Sequence, residues 1–63
     1  MTFKDLLVQQ NVTQVQLATK INVQQVTVSK WVCGKSIPKK DKMKKIAQAL
    51  NINELIVIQS FYN

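Results

Sequence analysis

Seven lysines, Lys30, Lys35, Lys39, Lys40, Lys42, Lys44 and Lys45, fall within sixteen consecutive positions and face one carboxylate, Asp41. Elsewhere Lys4 and Lys20 balance Asp5 and Glu54, so the formal net charge of +6 belongs to residues 30–45. Ammonium groups at this density are an electrostatic footprint for a polyanion. Two other uses compete at this point. One is a face kept basic for solubility. The other is a membrane-surface helix with Met43, Ile46 and Leu50 as its apolar side. The chain offers few other reactive groups. It has no His, and Asp5, Asp41 and Glu54 stand far apart in sequence, whereas acid–base catalysis usually needs His, Asp or Glu. Cys33 is alone and Gly34 is the single glycine. A disulfide, a Cys/His nucleophile, a zinc site and a glycine-rich phosphate loop therefore have no residues to build them. No enzyme, metal, cofactor or small-molecule ligand is expected. Without a resolving partner, Cys33 reads as an inert thiol, and its solitude fits a reducing compartment. No apolar run reaches the roughly 18 residues of a membrane span. The N-terminus lacks a basic-then-apolar signal pattern. A soluble cytoplasmic protein is expected.

Ordered elements must hold these lysines, and 63 residues leave room for one domain, residues 1–63. The spacing of apolar residues predicts an all-α chain with helices at about 3–10, 14–21, 25–33, 39–50 and 53–60. Phe3, Leu6 and Leu7 mark one helical face, with Thr2 as N-cap and Asn11 as a left-handed stop. Thr13 and Gln16 form a capping box, and Val12 can staple onto Leu17. Leu17, Ala18 and Ile21 make a narrow inward stripe, and Ala18 lets another helix come close. Asn22 offers a tight turn. In the next segment Val28, Trp31 and Val32 point one way, while Gln25, Val26, Ser29 and Lys30 point the other. That outer face carries an amide, a hydroxyl, a cation and a small apolar group, where a merely solvated face more often carries Glu and Lys. Gly34 ends this helix. Ile37 is expected to pin the following loop to the core. Met43, Ile46, Ala47 and Leu50 then face inward, so the membrane reading weakens, because the core needs them. Lys39 and Lys40 oppose the dipole at this helix start, a local cost that a bound phosphate removes. Asn53 caps the last segment. Leu55, Ile56, Val57, Ile58, Phe61 and Tyr62 exceed what one helical face can bury, and β propensity alone allows a strand at 55–62.

Helices 14–21 and 25–33, joined by a three-residue turn, have the parts of a helix-turn-helix. The small residue permits close crossing, Asn22 permits positive φ, and Val28 and Trp31 lock the second helix across the first. The outward face of that helix is free to enter a major groove. Here Thr13-Gln14, Leu17-Ala18, Thr27-Val28-Ser29-Lys30-Trp31, Gly34-Lys35, Pro38 and Ile46-Ala47-Gln48-Ala49-Leu50 resemble the Cro/C1-type (Xre-like) helix-turn-helix family of phage, mobile-element and bacterial transcription regulators. The resemblance covers roughly residues 3–58. It implies a compact five-helix, lambda-repressor-like DNA-binding domain with its motif at 14–33.

The resemblance also implies roles. Gln14 would meet a phosphate at the start of the second helix. Gln25, Val26 and Lys30 match positions that meet base edges, and Thr27 and Ser29 positions that touch backbone or bases. Gln24, where the family usually has Ser or Thr, is a poorer cap at the DNA-facing helix start. Lys35, Lys39 and Lys40 match the loop and helix start that clasp phosphates. Gln can bond adenine N6 and N7 together, Lys can reach guanine O6 and N7, and Val can pack on a thymine methyl. Without Arg the guanine fork is missing, so an operator with recognised A·T pairs and modest guanine readout is expected. Asn22 replaces the usual turn glycine, Val32 and Cys33 a common acidic–basic pair, and Lys39 a usual cap.

The expected function is a sequence-specific regulator of double-stranded DNA. A small Cro-like repressor binding a pseudo-palindromic operator as a homodimer fits best, with no sensor or ligand domain in so short a chain. An antitoxin, an activator, a conjugation regulator or a protein-interaction module would use the same domain. The tail at about 52–63 is the dimerisation candidate through Ile56, Ile58, Phe61 and Tyr62, and Phe61→Ser is expected to leave the monomer folded.

Overall fold

A computed structural model describes residues 2–62. Five helices follow in order: α1 (Phe3–Gln9), α2 (Gln14–Ile21), α3 (Gln25–Val32), α4 (Lys40–Leu50) and α5 (Glu54–Phe61). There is no strand among the described residues, so 55–61 is helical with Tyr62 as its C-cap, and the strand alternative falls. The predicted boundaries hold to within a residue. Lys39 and Asn53 serve as N-caps, and Gln10 and Cys33 as C-caps.

Local chemistry accounts for most helix starts. Thr2 Oγ1 accepts from the Asp5 N–H at 3.2 Å while Asp5 returns an acceptor to the Thr2 N–H at 3.3 Å. Thr13 and Gln16 make the same reciprocal pair at 3.1 and 2.9 Å. Each box satisfies two helix-start N–H groups that have no partner inside the helix. At α5, Asn53 Oδ1 accepts from the Leu55 N–H at 2.9 Å.

Four helices stop on one pattern. Asn11, Asn22, Gly34 and Asn51 take φ of 56°, 59°, 76° and 57°. The next residue's N–H then reaches back five positions: Val12 to Leu7, Val23 to Ala18, Lys35 to Lys30 and Ile52 to Ala47, at 2.9–3.0 Å. This is the Schellman closure, in which a left-handed residue lets the chain satisfy the last carbonyls. Asn51 carries the same function as Asn11 and Asn22, although the helix pattern alone did not single it out.

The helices close a ring of neighbours: α1 packs on α3 and α5, α2 on α3 and α4, and α4 on α5. Inside lie Phe3, Leu6, Leu7, Leu17, Ala18, Ile21, Val28, Trp31, Met43, Ile46, Ala47, Leu50 and Val57. Every inward residue predicted for α1, α2 and α4 is buried, as are Val28 and Trp31 of α3, with Val32 half-buried. Burying each large aliphatic contributes about 1.5–3 kcal/mol. Ile37 does not pin the loop: it is 48% exposed, and Pro38 is the buried residue. A residue before proline favours extended backbone, in which neighbouring side chains point to opposite sides, and here Pro38 is the one turned inward.

Candidate nucleic-acid interface

The interface starts with what α2 does to α3. Leu17 and Val28 are completely buried, and Ala18 lies beside them in the core. This packing turns one face of α3 inward and leaves the opposite face in solvent. Gln24, Gln25, Val26 and Lys30 are exposed, while Thr27 and Ser29 are half-buried along its edges. Val26 is 53% exposed, between Gln25 and Thr27 in sequence. Gln14, the first residue of α2, is half-buried.

Basic groups continue from this face. Lys30 sits in the last turn of α3, where a cation is favoured by the helix dipole. The Gly34 turn follows, with Lys35 exposed directly after it, then Lys39 and Lys40 exposed at the start of α4. Of the predicted contacts, Gln24, Gln25, Val26, Lys30, Lys35, Lys39 and Lys40 are thus solvent-facing, and Gln14, Thr27 and Ser29 are only partly so. Gln24 and Lys39 make no side-chain cap bond. Their helix-start N–H groups lack the side-chain acceptor found at α1, α2 and α5. Lys44 and Lys45 are also exposed, on the outer side of α4.

A second surface lies on α5. Val57 is fully buried and Ser60 turns inward, its hydroxyl donating to the Val57 carbonyl at 2.6 Å. That choice of face leaves Leu55 61% exposed, Tyr62 65% exposed and Ile56 41% exposed. Ile58 and Phe61 pack against the core instead. Phe61 stacks on Phe3 with ring centroids 4.6 Å apart, and Phe3 meets Trp31 edge-on at 6.4 Å. Phe61→Ser would therefore also disturb the packing on Phe3, and it is not a clean probe of this surface. Leu55 was missing from the sequence-based set. Taking Val57 as inward would have found it, since 55 lies about 200° around the helix from 57.

The chain belongs to the Cro/C1-type helix-turn-helix family: the helix-turn-helix family model matches residues 3–56, across the motif, α4 and the start of α5. It is thus a DNA-binding domain of the kind transcription regulators use, and the family is not an enzymatic one. Comparison with curated proteins and with solved structures gives no match. No helix among the described residues is long and apolar enough to cross a membrane.

Proposed function

We propose that this chain is a sequence-specific, Cro-like transcription repressor that binds a pseudo-palindromic operator as a homodimer in the cytoplasm. The observation that carries the reading is the outward face of α3, whose exposed amides, valine and lysine run directly into the exposed lysines of the loop and of α4. Gln25, Val26 and Lys30 meet base edges in the major groove, with Gln24, Thr27 and Ser29 at the margins. Gln14, Lys35, Lys39 and Lys40 hold phosphates and so fix the register. The unfilled helix starts of α3 and α4 favour anionic oxygens, in line with the dipole. Occupying an operator is enough to exclude another protein from it, so repression asks nothing more of the domain.

The dimer is supported by α5. Leu55, Ile56 and Tyr62 form an exposed apolar surface among the described residues, next to half-buried Ile58 and Phe61. A two-fold axis through such a patch is self-complementary. It would set two recognition helices about 34–36 Å apart, one turn of DNA.

Selection from random duplexes, followed by salt titration and sedimentation, tests the proposal. Enrichment of a two-fold site is expected, with a steep log–log dependence on salt from counterion release. The double variant Leu55→Ser, Tyr62→Ser is expected to sediment as a folded monomer with lowered operator affinity. A salt slope near zero and no enriched sequence would move the chain to the protein-interaction class.

A further inference from the structure

A second apolar surface lies where α1 ends and α2 begins. Val8 is 72% exposed, the most exposed large apolar residue among those described, and Val15 is 53% exposed. Single exposed apolar side chains are ordinary on a protein surface. These two are joined. Val8 and Val12 line one groove, of about 210 Å³, between α1 and the start of α2. Val12 and Val15 line a second, of about 520 Å³, along α2. The grooves meet at Val12, which the left-handed stop at Asn11 sets half-buried between the two helices. The three valines thus form one apolar strip across two elements. It is separate from the α5 patch: Phe61 stacks on Phe3 at the start of α1, and Val8 lies at the other end of that helix.

Charge limits what covers the strip. The Val8 groove carries Lys4, the Val15 groove carries Lys20, and neither has an acidic side chain in its lining. Asp5, next to Lys4, is turned to the Thr2 N–H in the α1 capping box. Lys4 and Val8 stand at i and i+4 on one stripe of α1. A two-fold pairing of the strip with itself would set ammonium against ammonium, because each groove holds a lysine. The α5 patch differs here: α5 contains no lysine and begins on Glu54. DNA is no better match, since a phosphate backbone is held by donors and cations and three valines offer it nothing. An apolar segment with carboxylates beside it satisfies both the valines and the lysines.

We propose that the Val8–Val12–Val15 strip docks a short segment of another protein, apolar at its centre and flanked by Asp or Glu that meet Lys4 and Lys20. Apolar burial on the valines supplies the affinity, and the two lysines fix the direction in which the segment lies. Docking there does not depend on DNA binding by α3 or on a dimer through α5. It gives this small domain an input surface apart from both.

The test pans a library of random displayed peptides against the full chain. Counter-selection uses the double variant Val8→Ser, Val15→Ser, which keeps all nine lysines. Peptides held only by the lysines at 30–45 are thereby discarded. The peptides that remain are expected to carry apolar residues flanked by Asp or Glu. Val8→Ser and Val15→Ser are each expected to weaken such a peptide about tenfold. Lys4→Gln with Lys20→Gln is expected to weaken it about fivefold at low salt, with the difference closing at high salt. Melting temperature, sedimentation and operator affinity of the two valine variants are expected to match wild type. No enriched peptide after counter-selection overturns the docking surface. Enriched peptides without carboxylates, bound equally by the lysine variant, overturn the acidic partner. A lower melting temperature in the valine variants returns these residues to the fold, and a smaller sedimenting mass returns them to an interface between copies; either result overturns the proposal.

Discussion

Helices α2 and α3 have the same length and pack on each other, yet they are finished differently. At its start α2 closes a capping box through Thr13 and Gln16; α3 begins on Gln24 with no side-chain bond. At its end α2 stops on Asn22 and tucks Val23 against the core; α3 stops on Gly34 and sends Lys35 into solvent. The contrast extends outward. Helices α1 and α5 begin on side-chain caps, α4 does not, and the stops after α1 and α4 set half-buried Val12 and Ile52 against the core as the stop after α2 sets Val23. Uncapped helix starts therefore cluster at α3 and α4, the two helices that carry the exposed amides and lysines of the candidate site. Such clustering is what a binding face leaves behind, because groups that serve a ligand are withheld from the fold.

The largest expected effect tests whether those positions serve DNA. In the triple variant Lys35→Gln, Lys39→Gln, Lys40→Gln, three ammonium groups are removed from exposed sites. Each phosphate contact contributes about 0.9 to the salt slope. The slope should fall by about 2.7, and affinity at 0.1 M salt by roughly two to three orders of magnitude. Thermal unfolding should stay unchanged or move up, as like charges near one helix start are relieved. Loss of stability without loss of slope would mean that the lysines belong to the fold.

A smaller effect is expected at Gly34. Its φ of +76° lies in the left-handed region, and a Cβ built there meets nothing within 4 Å. Gly34→Ala should therefore cost only the backbone strain, about 1–2 kcal/mol. Gly34→Asn should recover most of it, since Asn holds the equivalent position at three other helix ends. Denaturant unfolding of the two variants measures both numbers. Equal destabilisation by Ala and Asn would place the cost in packing and break the parallel between the four stops.

The sequence was informative where a side chain acts on its own neighbours. The box at Thr13–Gln16 and the stops at Asn11 and Asn22 are local, so residue type and spacing suffice. The same holds for α4, where Met43, Ile46, Ala47 and Leu50 are the sole apolar stripe on a lysine-rich helix. The stop at Asn51 had a readable cue, the repeat of an Asn–apolar pair already present at Asn11–Val12 and Asn22–Val23. In contrast, α5 is apolar on every side through Leu55, Ile56, Val57 and Ile58. Its pattern has no phase, and only packing against α1 and α4 selects Val57. This is why the stacking of Phe61 on Phe3 could not be read from the pattern. Ile37 and Pro38 pose the same problem in a loop, two apolar neighbours with no local rule to choose between them. For the candidate site, α3 was legible as a face because Val28 and Trp31 fix its inward side. The half-burial of Thr27 and Ser29 was not, because it depends on how neighbouring elements flank the helix.

The smallest effects bear most directly on the difference between α2 and α3. Thr13→Ala removes the Oγ1 acceptor of the Gln16 N–H and should cost about 1 kcal/mol. Gln24→Ser supplies the missing acceptor at the start of α3 and should stabilise by about 0.5–1 kcal/mol. The two substitutions therefore move stability in opposite directions at equivalent positions of neighbouring helices. Their effects on DNA should also differ. Thr13→Ala acts through the fold and should leave operator affinity nearly unchanged while the protein stays folded. Gln24→Ser fills the helix start with a hydroxyl and removes an exposed amide, so it should weaken operator binding even as it raises the melting temperature. A Gln24→Ser protein that gains both stability and affinity would show that a poor cap at this position serves no binding purpose, and the contrast between the two helices would then be one of propensity alone.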